Sequence, residues 1–200
     1  MRVLLAEDMQ LLRGALANLL RQEPDIEVVA ELERGDEIVP TALHTEPDLA
    51  LIDIGLPGMD GLTAAAQLHE RLPACRCLIV TSLSQPGNIR RALEAHVTGF
   101  LLKDTPPDQL IVAMRKVANG ERVIDSELAA AALESAPNPL TPREAEVLRH
   151  AAEGARPQEI AKRLHLELST VRNHLSRVVT KSGARNRVDA IRIALHAGWI

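Results

Sequence analysis

The chain has 200 residues, with 23 Lys and Arg against 27 Asp and Glu and a formal net charge of −4. A hydrophobic fraction of 46% with 25% charged residues belongs to a folded globular protein and excludes intrinsic disorder. No apolar run reaches the ~18–20 residues of a membrane span, and one Phe, one Trp and no Tyr leave no stacking platform for single-stranded nucleic acid.

Divided at the stretch Ser135-Ala136-Pro137-Asn138-Pro139, the charge separates. Residues 1–137 hold 12 basic and 21 acidic side chains, a net of −9, and residues 138–200 hold 11 and 6, a net of +5. This predicts two modules, the smaller one suited to a polyanion. Met1–Ala6 meets Glu7 and Asp8 before any signal-peptide hydrophobic region forms, which predicts a cytoplasmic protein with no membrane partner. Cys75 and Cys77 form a lone C-x-C, too few for a structural zinc site, and read as free thiols.

In chain order, short apolar runs of strand length alternate with segments of helical period. The strands are Arg2–Ala6, Ile26–Glu31, Leu49–Asp53, Cys77–Thr81 and Gly99–Leu102. The helices are Leu12–Leu20, Glu37–Leu43, Leu62–Leu72, Ile89–Ala95 and Leu110–Val117. Near-continuous apolar strands between amphipathic helices predict an α/β doubly wound, five-stranded parallel sheet covered on both faces. In such a fold the reactive site lies at the carboxyl ends of the strands.

Asp125–Ala136 reads as a short Ala-rich helix and linker. From Leu140 on, the pattern is helical throughout. Thr141 reads as an N-cap, Pro142 as the first helical residue, and Glu144 as the closing residue of a capping box. Pro157–Leu164, Leu168–Lys181 and Arg187–Ala197 follow as helices, the last with Val188, Ile191 and Leu195 as its expected buried stripe. These predict a small all-α, four-helix domain of helix-turn-helix form. The predicted boundaries are 1–120 for the α/β domain, 121–139 for the short helix and linker, and 140–200 for the helical domain.

The strand ends carry the chemistry. Glu7 and Asp8 follow the first strand, Asp53 ends the third, Thr81 ends the fourth and Lys103 follows the fifth. Three converging carboxylates repel unless a cation joins them, and hard oxygen donors with open positions suit Mg²⁺. Asp53 reads as a nucleophile able to form an acyl phosphate, Glu7 and Asp8 as metal ligands, and Lys103 and Thr81 as partners of phosphoryl oxygens. Taken singly, each has an ordinary structural reading: a cap, a solvated lysine, a core residue.

Together these residues resemble the receiver domain of two-component response regulators. The match rests on Glu7-Asp8, the segment Asp53-Ile54-Gly55-Leu56-Pro57-Gly58-Met59-Asp60-Gly61, Thr81-Ser82 and Lys103. The resemblance implies phosphorylation of Asp53 by a partner histidine kinase, and metal ligation by Glu7, Asp8, Asp53 and the backbone carbonyl of Gly55. It also implies a switch in which Phe100 follows Thr81. Asp104 follows Lys103 where many members carry Pro. Gly55 and Leu83 occupy the positions that tune acyl-phosphate hydrolysis in this family, and neither can orient an attacking water, so the expected phosphorylated state is long-lived.

The second module resembles the LuxR/NarL-type DNA-binding domain through Leu140–Glu144, Glu159-Ile160-Ala161, Ser169-Thr170-Val171-Arg172-Asn173-His174 and Arg187-Val188-Asp189-Ala190. Ile160, Ala161, Leu164 and Val171 are expected inside. Arg and Asn can pair with guanine and adenine edges in the major groove, and short hydroxyls and Lys suit phosphates. The expected DNA-binding set is Ser169, Thr170, Arg172, Asn173, Ser176, Arg177, Lys181 and Arg187, with double-stranded promoter DNA as partner. Glu167 stands where the family places a Ser or Thr cap, and Ser176 where many members place Lys. His174 is expected to pack or to face phosphate rather than to read bases.

The combined resemblance is to a NarL/FixJ-type response regulator, a phosphorylation-dependent transcriptional regulator and not an enzyme. It implies a homodimer on activation, with Leu11, Leu12, Ala15 and Leu19 and Ile111, Met114 and Arg115 as candidate contacts, although ordinary core packing is the preferred reading for most of the apolar ones. Two rivals exist. An Asp-nucleophile phosphatase would carry a second Asp two residues after the first, where Gly55 stands. A phosphorylation-independent regulator would have no need of all five site residues.

Overall fold

A computed structural model describes residues 1–82, 86–124 and 138–200. The chain divides into two compact units, the first carrying the sheet and the second the C-terminal helices. The short helix expected within 125–136, and Leu83, lie outside the described residues.

The first unit runs β1 (Arg2–Ala6), α1 (Gln10–Arg21), β2 (Glu27–Leu32), a 3₁₀ turn (Gly35–Glu37) and α2 (Ile38–Thr45). It continues through β3 (Leu49–Ile52), α3 (Gly61–Arg71), β4 (Arg76–Thr81), α4 (Pro86–Glu94), β5 (Gly99–Leu102) and α5 (Pro107–Ala118). The five strands are all parallel in the order β2-β1-β3-β4-β5. Side chains alternate in direction along a strand, so each strand feeds two cores. Leu4, Ala6, Ala50, Ile52, Cys77, Ile79 and Phe100 pack with α2, α3 and α4 on one face. Val3, Leu5, Leu49, Leu51, Leu78 and Val80 pack with α1 and α5 on the other. That double burial is why these strands read as continuous apolar runs.

The candidate dimer contacts on α5 resolve to internal roles in this unit. Ile111 and Met114 are 4% and 0% exposed and belong to the α5 core, so they are not available to a partner. Arg115 is engaged by Glu23 and Asp25, each 2.7 Å away, which fastens α5 to the turn before β2. Cys75 and Cys77 are free, as expected; both are also buried, and burial pushes the Cys75 thiol pKa up to about 12.

The second unit holds α6 (Pro142–Ala152), α7 (Pro157–Arg163), α8 (Leu168–Lys181) and α9 (Arg187–His196). The α6 cap forms as the sequence predicts. Thr141 Oγ1 accepts from Glu144 N at 3.3 Å, and Glu144 Oε2 accepts from Thr141 N at 2.8 Å. Its core joins Val147, Leu148 and Ala151 of α6, Ile160 and Ala161 of α7 and Val171, Leu175 and Val178 of α8, with Leu164 packed against them. The expected stripe on α9 is wrong at two of its three positions. Val188 is 74% and Leu195 50% exposed, while Ala190 and Ala194 are fully buried and Ile191 is half-buried. Small side chains let α9 approach its neighbours closely, and its larger apolar residues turn outward.

Candidate functional site

The sheet order reverses between β1 and β3, and a crevice at the carboxyl end of such a reversal is where open α/β sheets bind ligands. Glu7 and Asp8 follow β1 there, and Asp53 follows β3. Asp53 N–H donates to Ala6 O at 3.0 Å, which extends the β1–β3 pairing to the site itself. One carboxylate oxygen from each of Glu7, Asp8 and Asp53 lies within 4.8 Å of the others. Glu7 and Asp53 are buried, at 2% and 8% exposure, and Asp8 is open to solvent.

Lys103 spans the two buried acids, with Nζ 2.8 Å from Glu7 Oε2 and 3.0 Å from Asp53 Oδ2. Its N–H donates to Thr81 O at 3.0 Å, so β4 and β5 together set the height of the lysine above the sheet. The second Asp53 oxygen, Oδ1, accepts from Ile54 N at 2.8 Å. Asp53 therefore presents Oδ2, held by a movable cation, as the oxygen that a newcomer can claim. Burial raises the Glu7 pKa, the Asp53 charge adds to the rise, and bonds from Lys103 and Met9 N–H oppose it. Burial works against the charge on Lys103, yet pairing with Glu7 and Asp53 outweighs it and raises its pKa.

Thr81 is fully buried at the end of β4. Phe100 is 1% exposed and lies opposite Ile79 in the sheet register, on the face that packs with α3 and α4. Gly55 faces the acid cluster, since a Cβ built on it would lie 3.5 Å from Asp53 Oδ2. The position is open to a larger side chain, and glycine leaves it empty.

In the helical unit, α7 and α8 form the helix-turn-helix pair. Along α8, Ser169, Arg172, Asn173, Ser176 and Arg177 are exposed on one side while Val171, Leu175 and Val178 are buried on the other; Thr170 is half-buried. No acidic residue lies within α8, which gives its outward face a net positive charge. Arg187, half-buried, opens α9 behind the N-cap Asn186, whose side chain accepts from Asp189 N at 2.9 Å. Glu167, at the N-cap of α8, is exposed and makes no side-chain cap bond. His174 is half-buried, and its buried Nδ1 has no hydrogen-bond partner among the described residues.

Lys181 does not join the outward face. Its Nζ lies 2.6 Å from Glu144 Oε2, and Glu144 is only 2% exposed. The lysine fastens the end of α8 to the start of α6.

Two family models divide the chain between them. Residues 3–115 match the response regulator receiver domain, and residues 138–194 match the bacterial regulatory proteins of the luxR family. The chain belongs to the LuxR-type response regulators. It is 41% identical over 197 residues to the transcriptional regulatory protein DesR of Bacillus subtilis, covering 98% of each chain. It is 34% identical over 198 residues to the nitrate/nitrite response regulator protein NarL of Escherichia coli K12, covering 94% of this chain and 92% of that one. Among solved structures it resembles RcsB from Salmonella enterica serovar Typhimurium bound to promoter rprA in the presence of phosphomimetic BeF3-. That match has TM-score 0.72 and 25% identity over 96% of this chain and 97% of that one.

Several residues that shape the receiver site escaped sequence reasoning. A Cβ on Gly61 would collide with the Asp53 carbonyl oxygen and lie 2.8 Å from Ile52 Cγ2, so α3 starts directly against the Asp53 backbone. A Cβ on Gly35 would strike the carbonyl oxygen of Met59, and its N–H donates to Pro57 O at 3.1 Å. Asp60 caps α3 and takes Arg91 Nη2 at 2.6 Å, which ties the loop after Asp53 to α4. Arg13, 9% exposed, donates Nη1–H to the backbone carbonyl of Glu7 at 2.7 Å and pairs with Glu33. A glycine at an expected loop and an arginine in an amphipathic helix carry no sequence signal of such contacts.

Proposed function

We propose that this regulator accepts a phosphoryl group on Asp53 from a partner histidine kinase and in response changes its binding to double-stranded promoter DNA. The domain organisation proposed is a receiver over 1–120, a connecting segment over 121–139 and a DNA-binding domain over 140–200. The single observation that carries the reading is the Lys103 bridge between Glu7 and Asp53, at the ends of β1, β3 and β5, in the same chain as the basic helix α8.

Asp53 Oδ2 attacks the phosphorus of a phosphohistidine. The P–N bond breaks as the P–O bond forms, and the electron pair leaves with the imidazole nitrogen. The carboxylate becomes an acyl phosphate. Lys103 exchanges its bond to Asp53 Oδ2 for one to a phosphoryl oxygen, where a compact point charge suits the incoming group. Thr81 donates its hydroxyl to another phosphoryl oxygen, and Phe100 adjusts beside it, which relays the change to the α4–β5–α5 face.

The hard-oxygen donor set of Glu7, Asp8 and Asp53 fits Mg²⁺, with the Gly55 carbonyl as a further ligand. When bound, the ion offsets the negative charge that gathers as a phosphoryl group meets three carboxylates.

Ser169, Thr170, Arg172, Asn173, Ser176, Arg177 and Arg187 are the proposed DNA contacts, and Lys181 positions the helix that presents them. The active form is proposed to be a homodimer. Leu11, at 87% exposure on α1, and the outward Val188 and Leu195 on α9 are apolar surfaces that a second copy would cover. A groove of about 350 Å³ lined by Leu12, Ala15, Leu16, Leu19, Pro107 and Leu110 continues the α1 surface. Among the described residues no helix is long and apolar enough to cross a membrane, and action on DNA points to the cytoplasm. The protein acts as a switch, without sustained turnover.

The test compares operator binding by wild type and Asp53→Asn, each with and without a small phosphodonor and Mg²⁺. Only treated wild type is expected to change affinity. Equal binding in all four samples would sink the phospho-switch.

A further inference from the structure

We infer that Arg13 is a positioning residue for the metal-binding acids, acting through the peptide that joins Glu7 to Asp8. The inference rests on the Mg²⁺ reading above and extends it to a residue outside the ligand set. Arg13 lies on α1, one turn beyond the acidic pair, and its own N–H donates to Met9 O at 2.9 Å. A buried guanidinium needs a reason to be there, because desolvating it is costly unless its donors are satisfied. Here Nη1–H reaches the Glu7 carbonyl at 2.7 Å in a buried bond, and Nη2 meets the carboxylate of Glu33 just past β2.

Arg13 therefore braces the Glu7–Asp8 peptide, while the peptide before Glu7 is held separately. The Glu7 N–H is held by Leu32 O at 3.0 Å, and the Glu7 carbonyl is held by Arg13. With both backbone groups of Glu7 fixed, the chain has little freedom in how it turns into Asp8. The Glu7 side chain is fixed in turn by Met9 N–H at 3.2 Å and by Lys103 at 2.8 Å. The Asp8 carboxylate is exposed and has no such constraint of its own, so its approach to Glu7 and Asp53 depends on the backbone that Arg13 braces. Glu33, 65% exposed at its side chain, orients the guanidinium from outside. Partners that orient metal ligands typically change metal affinity by about 10–100-fold when removed.

The experiment is calorimetric titration of Mg²⁺ into the full chain, with folding checked by circular dichroism at the same temperature. Arg13→Met is expected to weaken Mg²⁺ binding by about tenfold or more. Arg13→Lys, which can still donate to the Glu7 carbonyl, is expected to recover part of that loss. Leu20→Ala removes a fully buried side chain from the same helix and destabilises the unit without touching the acidic turn. It is expected to leave Mg²⁺ affinity within about twofold, a span no larger than ~0.4 kcal/mol. Wild-type affinity in Arg13→Met, or an equal loss in Leu20→Ala, would overturn the inference. A wild-type chain that takes up no Mg²⁺ would overturn the metal reading and this inference with it.

Discussion

Lys181 Nζ sits 2.6 Å from Glu144 Oε2, the same oxygen that accepts from Thr141 N and closes the cap of α6. One buried carboxylate thus joins the start of α6 to the end of α8. Lys181→Met leaves that acid without its cation and should destabilise the helical unit by about 1–3 kcal/mol. This lies between the small worth of exposed pairs and the cost of orphaning a buried one, since the lysine is itself 35% exposed. Thermal unfolding of the 138–200 region, followed through Trp199, measures it. Because the ammonium is already committed, the salt dependence of DNA binding should be unchanged in Lys181→Met. Arg177→Met should lower its slope by about 0.9.

The same pair sets a pH dependence. Burial alone would raise the Glu144 pKa, but bonds from Lys181 and Thr141 outweigh it and hold it below the ordinary 4.5. A carboxyl depressed in the folded state contributes stability that is complete above its unfolded pKa and is lost as pH falls through the folded value. Acid titration of the helical unit should show stability falling below pH 4.5 in the wild type and a shallower fall in Glu144→Gln.

Gly61→Ala should distort the acidic site around Asp53 from outside it. The added methyl collides with the Asp53 carbonyl and crowds Ile52, which costs about 1–3 kcal/mol of stability. Phosphate incorporation from a small donor should fall as the carboxylate is displaced. Normal incorporation with normal stability would show that α3 can yield without moving Asp53.

Gly55→Asn tests the lifetime of the acyl phosphate. Space exists for the side chain, because a Cβ there makes only ordinary contact with Asp53 Oδ2. A polar group at that point can orient a water toward the phosphorus, so the half-life should shorten severalfold while Asp53 still accepts phosphate. Release of inorganic phosphate after removal of the donor is the measurement.

Val188→Lys with Leu195→Glu should leave the helical unit folded, since both side chains are at least half exposed. If α9 pairs with a second copy on DNA, the variant should bind an operator half-site normally and lose cooperative binding to the full site. Sedimentation of the protein–DNA complex reports the stoichiometry. Glu167→Gln, at the open N-cap of α8, should tighten DNA binding by about fivefold, the effect of removing ~1 kcal/mol of repulsion from a nearby phosphate.

The sheet was legible because its strands are buried on both faces. Arg2–Ala6 and Gly99–Leu102 match to the residue, and the others to within one residue at each end. The acids, Lys103 and Thr81 were legible because chain order in a parallel sheet brings all strand ends to one edge. Other features were not. Val188 and Leu195 look identical to core residues in a sequence, since apolar character does not distinguish an interior from a surface awaiting a partner. Lys181 on a basic helix reads equally as a phosphate contact or an internal ion pair, and only the location of Glu144 decides. Gly61 and Arg13 act on backbone carbonyls, which every residue has and no sequence pattern marks.

The strand order has a kinetic consequence. β1 is the first strand made, yet it lies inside the sheet and pairs with β2 and β3, with Val3 opposite Leu49. Each parallel pairing must close a long loop before it gains a contact, so the edge that carries Asp53 depends on contacts distant in sequence, which slow folding. The helical unit relies on contacts closer in sequence, which favour faster formation. Glu7, Asp53 and Lys103 therefore meet only when β1, β3 and β5 all stand in one sheet.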